Sequence, residues 1–246
     1  MNGQKNIKLK NIEVSIIFIS YNVEKYLIQS IESILAHTNK NIAYEIIVID
    51  NNSIDNIEKE LKEKYPFINF IQNSENIGFT KAMNQAISMS KGKYVFQLNP
   101  DTKLIEDSIS KIHNFVSEND NPVIVGPKII NELGKIQKSY WDAPTLLSTM
   151  LNLSNIQSII NLFKKNKNLV EPKKVDTISG AAMFYQTSIF KRIGPFNEDL
   201  FWDEDIDFCL KAKDKGCEII FFPQTKLVHL GGKSADTNQK VAISNQ

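Results

Sequence analysis

Residues 93–101 read KYVFQLNPD, and this stretch decides the fold that the sequence predicts. Tyr94 to Leu98 form an apolar run, which indicates a buried strand. Pro100 has no N–H group and a fixed φ, so pairing of the strand ends there. Asp101 is then predicted at the carboxyl end of a strand, where open α/β sheets bind ligands. A carboxylate there suits a divalent cation carrying a diphosphate, although Asn, Pro and Asp are also ordinary turn residues.

The composition is that of a soluble globular protein. The 246 residues are 42% hydrophobic and 23% charged, which suits one large domain or two small ones. A formal net charge of +1 gives no reason to expect a nucleic-acid partner. Cys209 and Cys217 fit neither a disulfide framework nor a C-x-x-C metal pair. With no apolar run near the roughly 20 residues of a membrane span and no signal peptide, we expect a cytoplasmic protein or one peripheral at the inner face of the membrane.

Strands and helices alternate along the first hundred residues. Continuous apolar runs predict strands, and apolar residues at helical spacing follow each of the first three. The predicted strands are 14–19, 44–49, 67–71 and 93–98, and the predicted helices follow Asn22 or cover 54–65 and 79–90. This alternation predicts an α/β protein with a parallel sheet and helices on both faces.

The second half of the sequence is less regular. It predicts strands over 123–130, 177–185 and 218–222, a helix that opens at 202–205 and closes near Gly216, and a terminal loop over 228–232. Residues 144–170 combine apolar helical spacing with lysines. Three interpretations remain open for that segment: a buried helical hairpin, a mobile flap on the acceptor side, or an amphipathic element on anionic lipid.

Polar side chains follow the predicted strands of the first half, at Ser20-Tyr21-Asn22, Asp50, 73–78 and 99–101. A nucleotide needs an aromatic or main-chain surface against which its base can pack, an acceptor for a base N–H and a cation for its diphosphate. Tyr21, Asp50 and a metal at Asp101 could supply these in turn. The sequence has no G-x-G-x-x-G after the first strand and no G-x-x-x-x-G-K-[ST]. A bound metal is therefore the simplest way to neutralise the negative charge of the diphosphate.

Seven segments occur in order with ordinary spacing: VSIIFISYN (14–22), EIIVIDNNSID (45–55), NIGFTKAMN (76–84), QLNPD (97–101), SGAAM (179–183), IGPFNEDLFWDEDIDFCL (193–210) and VHLGGKS (228–234). With this set the chain resembles an inverting glycosyltransferase of the GT-A fold, family 2, close to the bacterial rhamnosyltransferase-like branch. The resemblance implies a single GT-A domain over residues 1–246. A Rossmann-like, mostly parallel nucleotide-sugar-binding half would cover 12–122, and a smaller half with the acceptor site and catalytic base would cover 123–246.

The resemblance also implies a donor site for a nucleoside-diphosphate sugar, either a dTDP-sugar such as dTDP-rhamnose or a UDP-sugar. Asp50 would bind the base. The nucleotide-binding residues would be Ser20, Tyr21, Asn22, Glu24, Asp50, Asn76, Gly78 and Asn99. Asp101 would hold a divalent metal, Mn²⁺ or Mg²⁺, and His229 matches a position that reaches the metal or the diphosphate, with a structural loop histidine as the alternative. Asn99 stands where many relatives have the first aspartate of D-x-D, and the lost charge should weaken or alter the metal preference.

Glu204-Asp205 resembles the family's Glu-Asp motif, whose aspartate is the catalytic base. Inversion at the sugar carbon requires the acceptor hydroxyl to lose its proton as it attacks, and a nearby carboxylate serves as general base. Asp205 is interpreted as that base, with Glu204 orienting it or contacting the acceptor. Acidic residues also favour the first turn of a helix for electrostatic reasons alone. The residues expected near the sugar and acceptor are Gly180, Ala181, Trp202 and Asp203.

Two departures from the family pattern affect these expectations. Met83 stands where another branch has an arginine that assists the phosphates, so the metal, Lys81, His229 or Lys233 must take that task. Relatives continue into C-terminal helices, so the chain is interpreted as a short or C-terminally truncated member. We expect the acceptor to be a surface glycan, free or lipid-linked. The alternatives are a nucleotidyltransferase, whose phosphate-binding loop the sequence lacks, and a non-catalytic nucleotide- or glycan-binding relative, which would not need Asp205.

Overall fold

The described part of the computed structural model covers residues 11–119, 121–142, 169–200 and 203–231, and its elements are numbered in chain order. The strands are β1 (Val14–Ser20), β2 (Tyr44–Asp50), β3 (Asn69–Gln72), β4 (Tyr94–Leu98), β5 (Thr102–Leu104), β6 (Val123–Ile130), β7 (Ile136–Gln137), β8 (Tyr140–Trp141), β9 (Lys173–Lys174), β10 (Thr177–Ile178), β11 (Ala182–Gln186) and β12 (Glu218–His229). The helices are α1 (Glu24–His37), α2 (Ile57–Lys64), α3 (Phe79–Met89), α4 (Ser108–Ser117), α5 (Thr187–Ile193) and α6 (Glu204–Asp214).

The strands form a large mixed sheet in the order β3-β2-β1-β4-β11-β6-β12-β5, with β7 on the edge of β6 and β9 paired to β12. Strands β3, β2, β1 and β4 are parallel. Because β2 and β4 lie on opposite sides of β1, the chain direction around the sheet reverses between β1 and β4. Open α/β sheets bind ligands at such a switch point.

Both faces of the sheet are covered by helices, as the alternating buried residues of β1 require. Ile16 and Phe18 face the cluster built with α1, α2 and α4. Ile17 and Ile19 face the cluster built with α3, α5 and α6. Strand β1 is buried along its whole length, which explains its unbroken apolar sequence. The predicted α/β class, with helices on both faces, is confirmed.

The two predicted halves share one sheet. Strand β11 comes from the second half, yet it pairs antiparallel with β4 on one side and with β6 on the other. Strand β12 then adds in parallel to β6. The carboxyl end of β4 is therefore held next to residues that lie far away in the sequence. The division of the chain at residue 122 stays a prediction.

Several predicted boundaries are wrong for local reasons. Helix α2 begins at Ile57 and not at residue 54, because Ile54 lies in the preceding loop and is 87% exposed. Strand β3 begins at Asn69, since Phe67 is exposed. The predicted strand 177–185 is two strands, because β10 pairs with β8 in a separate small sheet while β11 joins the large one.

The last strand is longer than predicted. Strand β12 continues past Phe222 to His229, with an irregular register between Phe222 and Lys226. Pro223 lies inside that irregularity, as expected of a residue that cannot donate to the ladder. His229 consequently belongs to a strand and not to the predicted terminal loop.

Some predictions fall outside the described residues. They concern most of the apolar stretch 144–170, Trp202, and the segment that begins at Gly232 and includes Lys233. Within the described ranges, no helix is long and apolar enough to cross a bilayer.

Candidate active site

The ends of β1 and β2 carry the first set of predicted residues. Ser20 is paired with Asp50 in the parallel register of these strands, and both are fully buried. The Asp50 carboxylate accepts hydrogen bonds from the Ser53 N–H at 2.8 Å, the Ser53 hydroxyl at 2.5 Å and Gln72 Nε2 at 3.2 Å. These contacts hold the loop after β2 in place against the ends of β2 and β3. Direct contact of Asp50 with a donor base stays a prediction.

The loop after β1 is tied to the loop after β2 through Asn22. Its N–H donates to Ser53 Oγ at 2.8 Å, and its Oδ1 accepts from the Ile54 N–H at 2.9 Å. Asn22 has a φ of 55°, a left-handed conformation that asparagine adopts more readily than most residues. Tyr21 beside it is partly buried. Asn22 is therefore part of the loop framework, whatever it contacts in a ligand.

A second pair of contacts joins the same two loops. The Glu24 N–H, at the start of α1, donates to Asp55 Oδ2 at 3.0 Å, and Glu24 Oε2 accepts from the Asn56 N–H at 2.9 Å. Asp55 thus caps α1 from another loop, and Glu24 binds the backbone just ahead of α2. Burial raises the pKa of the Asp55 carboxyl, against the opposing effect of its backbone hydrogen bonds.

The loop ahead of α3 contains Asn76 and Gly78. Asn76 Oδ1 accepts from the Gly78 N–H at 3.0 Å, and Gly78 has a φ of 86°, which favours glycine. The Gly78 carbonyl accepts from Asn51 Nδ2 at 3.2 Å, and Asn51 Oδ1 accepts from Asn73 Nδ2 at 2.9 Å. Asn51 was not singled out from the sequence, although its place directly after Asp50 was a usable signal.

The turn after β4 brings together the two predicted metal ligands. Asp101 is almost fully buried, and its Oδ1 lies 3.3 Å from His229 Nε2. The contact follows from strand pairing, because His229 lies opposite Thr102 where β12 meets β5. The Asn99 N–H donates to the Ala181 carbonyl at 3.0 Å, so the turn is also attached to the loop between β10 and β11.

The His229 side chain is held by Gln137, which the sequence did not single out. Gln137 Nε2 donates to the His229 carbonyl at 3.0 Å. The other amide atom, Oε1, lies 3.1 Å from His229 Nδ1 and can only accept, so Nδ1 carries the proton. In the neutral ring, Nε2 then presents its lone pair toward Asp101. Histidine ligands to metals commonly have this arrangement.

The donor set at Asp101 and His229 fits a divalent cation that is shared with a substrate. No group of three or more His, Cys, Asp or Glu side chains is arranged to hold a metal ion in the parts of the chain that the structure describes. Mg²⁺ at phosphate sites is nevertheless often held by one or two protein ligands plus substrate oxygens. A buried carboxylate oxygen and an imidazole nitrogen within 3.3 Å suit that mode of binding.

The second acidic group lies at the start of α6. Asp203 has a φ of 65° and precedes the helix, and Glu204 and Asp205 form its first turn. Asp205 Oδ2 accepts from the Gly180 N–H at 2.6 Å. Burial raises the pKa of Asp205 although this hydrogen bond lowers it, and burial together with the charges of Asp205 and Asp203 raises the pKa of Glu204. A carboxylate that is costly to ionise is a stronger base once ionised.

The loop Ser179–Ala181 joins the two acidic regions. A Cβ on Gly180 would lie 3.1 Å from Gln97 Nε2 and 3.3 Å from the Asp205 Cβ, so glycine permits the close approach of these two side chains. Gly180 contacts Asp205, and the next residue, Ala181, binds the turn that carries Asp101. The structure thereby connects the predicted base with the predicted metal turn.

The fold has three layers, with a mixed sheet between two layers of helices. This arrangement, with acidic groups beyond the carboxyl ends of the strands, is that of the GT-A class of nucleotide-binding folds. The chain belongs to glycosyl transferase family 2, because residues 15–194 match the model of that family. Assignment to the rhamnosyltransferase-like branch stays a prediction.

Curated relatives include two enzymes of Staphylococcus aureus. The chain is 33% identical to poly(ribitol-phosphate) beta-N-acetylglucosaminyltransferase TarP (strain N315) over 168 residues, which is 63% of this chain and 49% of TarP. It is 28% identical to poly-beta-1,6-N-acetyl-D-glucosamine synthase (strain COL) over 232 residues, 91% of this chain and 51% of the synthase. The chain therefore spans about half the length of these relatives.

Solved structures of low sequence identity share the fold. GalNAc-T7 with UDP, GalNAc and Mn²⁺ matches with a TM-score of 0.68 at 18% identity, over 88% of this chain and 43% of that one. S. aureus TarS 1–349 in complex with UDP-GlcNAc matches with a TM-score of 0.63 at 19% identity, over 92% of this chain and 61% of that one. These matches establish the GT-A architecture.

Proposed function

We propose that this chain is a metal-dependent inverting glycosyltransferase that moves a sugar from a nucleoside-diphosphate sugar to a surface-glycan acceptor. The observation that carries the proposal is the Asp205 carboxylate, oriented by the Gly180 N–H at 2.6 Å and destabilised in its charged form by burial. Membership of glycosyl transferase family 2 supports the reaction class.

In the proposed reaction, Asp205 takes the proton of the acceptor hydroxyl as that oxygen attacks the anomeric carbon of the donor sugar. The bond between this carbon and the diphosphate oxygen breaks on the opposite face, which inverts the configuration. Glu204 orients Asp205 or contacts the acceptor from the same helical turn. Asp101 and His229 would hold Mn²⁺ or Mg²⁺, which, when bound, supplies positive charge to the departing nucleoside diphosphate.

The donor pocket is proposed at the switch point between β1 and β4. Its walls would be the loops after β1 and β2, with Ser20, Tyr21, Asn22, Glu24 and Asp50, the loop with Asn76 and Gly78, and Asn99 on the turn after β4. A UDP-sugar is the favoured donor, because the structural neighbours GalNAc-T7 and TarS were solved with UDP and with UDP-GlcNAc. A dTDP-sugar such as dTDP-rhamnose is the second candidate.

The proposed acceptor is a polymeric glycan, free or lipid-linked. TarP acts on poly(ribitol-phosphate) by its name, and the other S. aureus relative is named for a polysaccharide product. Gly180, Ala181 and Asp203 are proposed to lie beside the sugar and acceptor. The cytoplasmic location and the contact with a membrane surface stay predictions.

The test combines donor binding with turnover. Calorimetric titration of UDP and dTDP, each with and without Mn²⁺, should show metal-dependent binding of one of them. Asp205→Asn should bind that nucleotide as the parent does and lose about 10²- to 10⁴-fold in transfer rate, as expected for a missing general base. The matched control, Asp199→Asn on the exposed loop before α6, should transfer normally. Metal-dependent binding without transfer by the parent would indicate a non-catalytic relative.

A further inference from the structure

We infer that Gln97 is a positioning residue that sets the orientation of Asp205 through the backbone of Gly180. The inference rests on the proposed function, because it needs Asp205 to be the base. Gln97 belongs to the QLNPD segment, but the sequence alone gave no reason to assign it a role.

The contact runs from the middle of the sheet to the start of α6. Gln97 is fully buried in β4, and its Nε2 donates to the Gly180 carbonyl at 2.9 Å. The N–H of the same glycine donates to Asp205 Oδ2 at 2.6 Å. The carbonyl of Gly180 is thus held by Gln97, and its N–H points at Asp205. The other oxygen, Asp205 Oδ1, accepts from the Ile206 N–H at 2.8 Å, so loss of the Gln97 contact loosens one of the two backbone groups that orient the carboxylate.

The packing leaves little room for any other arrangement. The position that a Cβ would take on Gly180 lies 3.1 Å from Gln97 Nε2 and 3.4 Å from Asp205 Oδ2. The side chains of Gln97 and Asp205 therefore both pack closely against Gly180. Two residues further along the chain, the Asn99 N–H donates to the Ala181 carbonyl. The end of β4 consequently holds two successive carbonyls of the loop between β10 and β11.

The chemistry of the Gln97 side chain argues against a role in packing alone. Its partners on the two adjoining strands are Ile17 of β1 and Met183 of β11, both buried and apolar. The Oε1 atom of Gln97 makes no hydrogen bond within the described residues, and burial of an unpaired polar atom costs stability. An apolar side chain of similar shape would avoid that cost. The directed bond to Gly180 explains why an amide is found there.

The primary test is Gln97→Met, which keeps the length of the side chain and removes the donor. We expect kcat to fall by about 10²-fold, the scale associated with a catalytic group misplaced by about 1 Å. The donor KM and the affinity for UDP with Mn²⁺ should change less than about twofold, and the thermal midpoint should stay or rise. The matched control is Gln186→Met at the far end of β11, opposite Tyr94, with unchanged kcat.

A second measurement reads the contact directly. The Gly180 amide proton should resonate far downfield in the parent protein because of its short hydrogen bond, and it should move upfield in Gln97→Met. Should that variant not fold, Gln97→Leu removes the same donor with a shorter apolar side chain. It is expected to lower kcat with little change in donor affinity.

Two outcomes separate the inference from the proposed function. If Asp205→Asn transfers sugar at the parental rate, the assignment of the base is wrong and the inference fails with it. If Asp205→Asn is inactive while folded Gln97→Met keeps the parental kcat and Gly180 shift, the inference alone is overturned. In support of it, adding Gln97→Met to Asp205→Asn should cause no further loss, since both changes act on one group.

Discussion

His229 Nε2 lies 3.3 Å from Asp101 Oδ1, although the two residues come from opposite halves of the chain. Neither residue is near the other until β12 pairs with β5 and sets His229 opposite Thr102. Strand register is therefore what creates the candidate metal site. Each half of the chain would contribute one ligand to the proposed cation.

This arrangement predicts that both ligands are needed for the metal. Asp101→Asn and His229→Ala should each weaken Mn²⁺ binding in the presence of UDP by at least about tenfold, because a two-ligand site loses half of its protein donors. The free Mn²⁺ signal in an electron paramagnetic resonance titration measures this. Glu132→Gln, on the exposed turn before β7, is the matched control. An unchanged titration in Asp101→Asn would remove the metal site from this turn.

Gln137 should determine the state of the His229 ring. In Gln137→Leu the ring loses its Nδ1 acceptor and the backbone contact at 3.0 Å. We expect the neutral ring to change from the Nδ1–H form to a mixture of tautomers, visible in ¹⁵N imidazole shifts of the metal-free protein. Mn²⁺ affinity should fall about 10- to 100-fold, as with other groups that support histidine ligands. A single, unchanged tautomer would show that Gln137 does not control the ring.

The raised pKa of Asp205 predicts a pH dependence of activity and of stability. The base must be ionised, so kcat should fall as pH drops through the raised pKa, which lies above the ordinary aspartate value. Burial also makes the ionised group unfavourable in the folded state, a cost that is present above the raised pKa and lost as the folded carboxyl takes up a proton.

Asp205→Asn removes that cost. Its thermal midpoint should therefore exceed the parental one at pH 8, and the difference should shrink as the pH falls through the raised pKa. Calorimetry at a series of pH values measures both proteins. Equal midpoints at every pH would mean that Asp205 is ionised in the folded protein as easily as in the unfolded chain.

Ser53 should matter for stability and for the donor together. Its hydroxyl donates to Asp50 at 2.5 Å and accepts from the Asn22 N–H at 2.8 Å. Ser53→Ala leaves both partners without it, so we expect a loss of about 1–3 kcal/mol of unfolding free energy and weaker UDP binding. Chemical denaturation and calorimetry measure the two effects. Ser117→Ala, at an exposed hydroxyl bonded within α4, is the control. Loss of stability with unchanged UDP affinity would place the donor elsewhere.

The sequence predicted the parts of the site that follow local rules. Hydrophobic runs fix where β1, β2 and β4 end, and the polar residues at those ends include Ser20, Asp50 and Asp101. The first turn of α6 was found in the same way. These positions depend on short stretches of chain, so a single sequence is enough to locate them.

The contacts that the sequence did not predict all cross the sheet. Gln97 has the appearance of a core residue until β11 brings Gly180 next to it, and Gln137 has a partner only because β7 and β12 both pair with β6. Long-range pairing leaves no periodic signal in the residues concerned. The predicted strand 218–222 likewise stops before Pro223, whereas an irregular register carries β12 past that residue.

The insertion of β11 between β4 and β6 has a consequence for the order of folding. A nascent chain that has emerged only as far as β6 holds two strands with open edges and no strand to place between them. The sheet closes only when residues 182–186 arrive, so its completion depends on contacts of high sequence separation, which form slowly. Until then the unpaired edges of β4 and β6 can pair with strands of other chains. The arrival of β11 from the second half of the protein covers both edges.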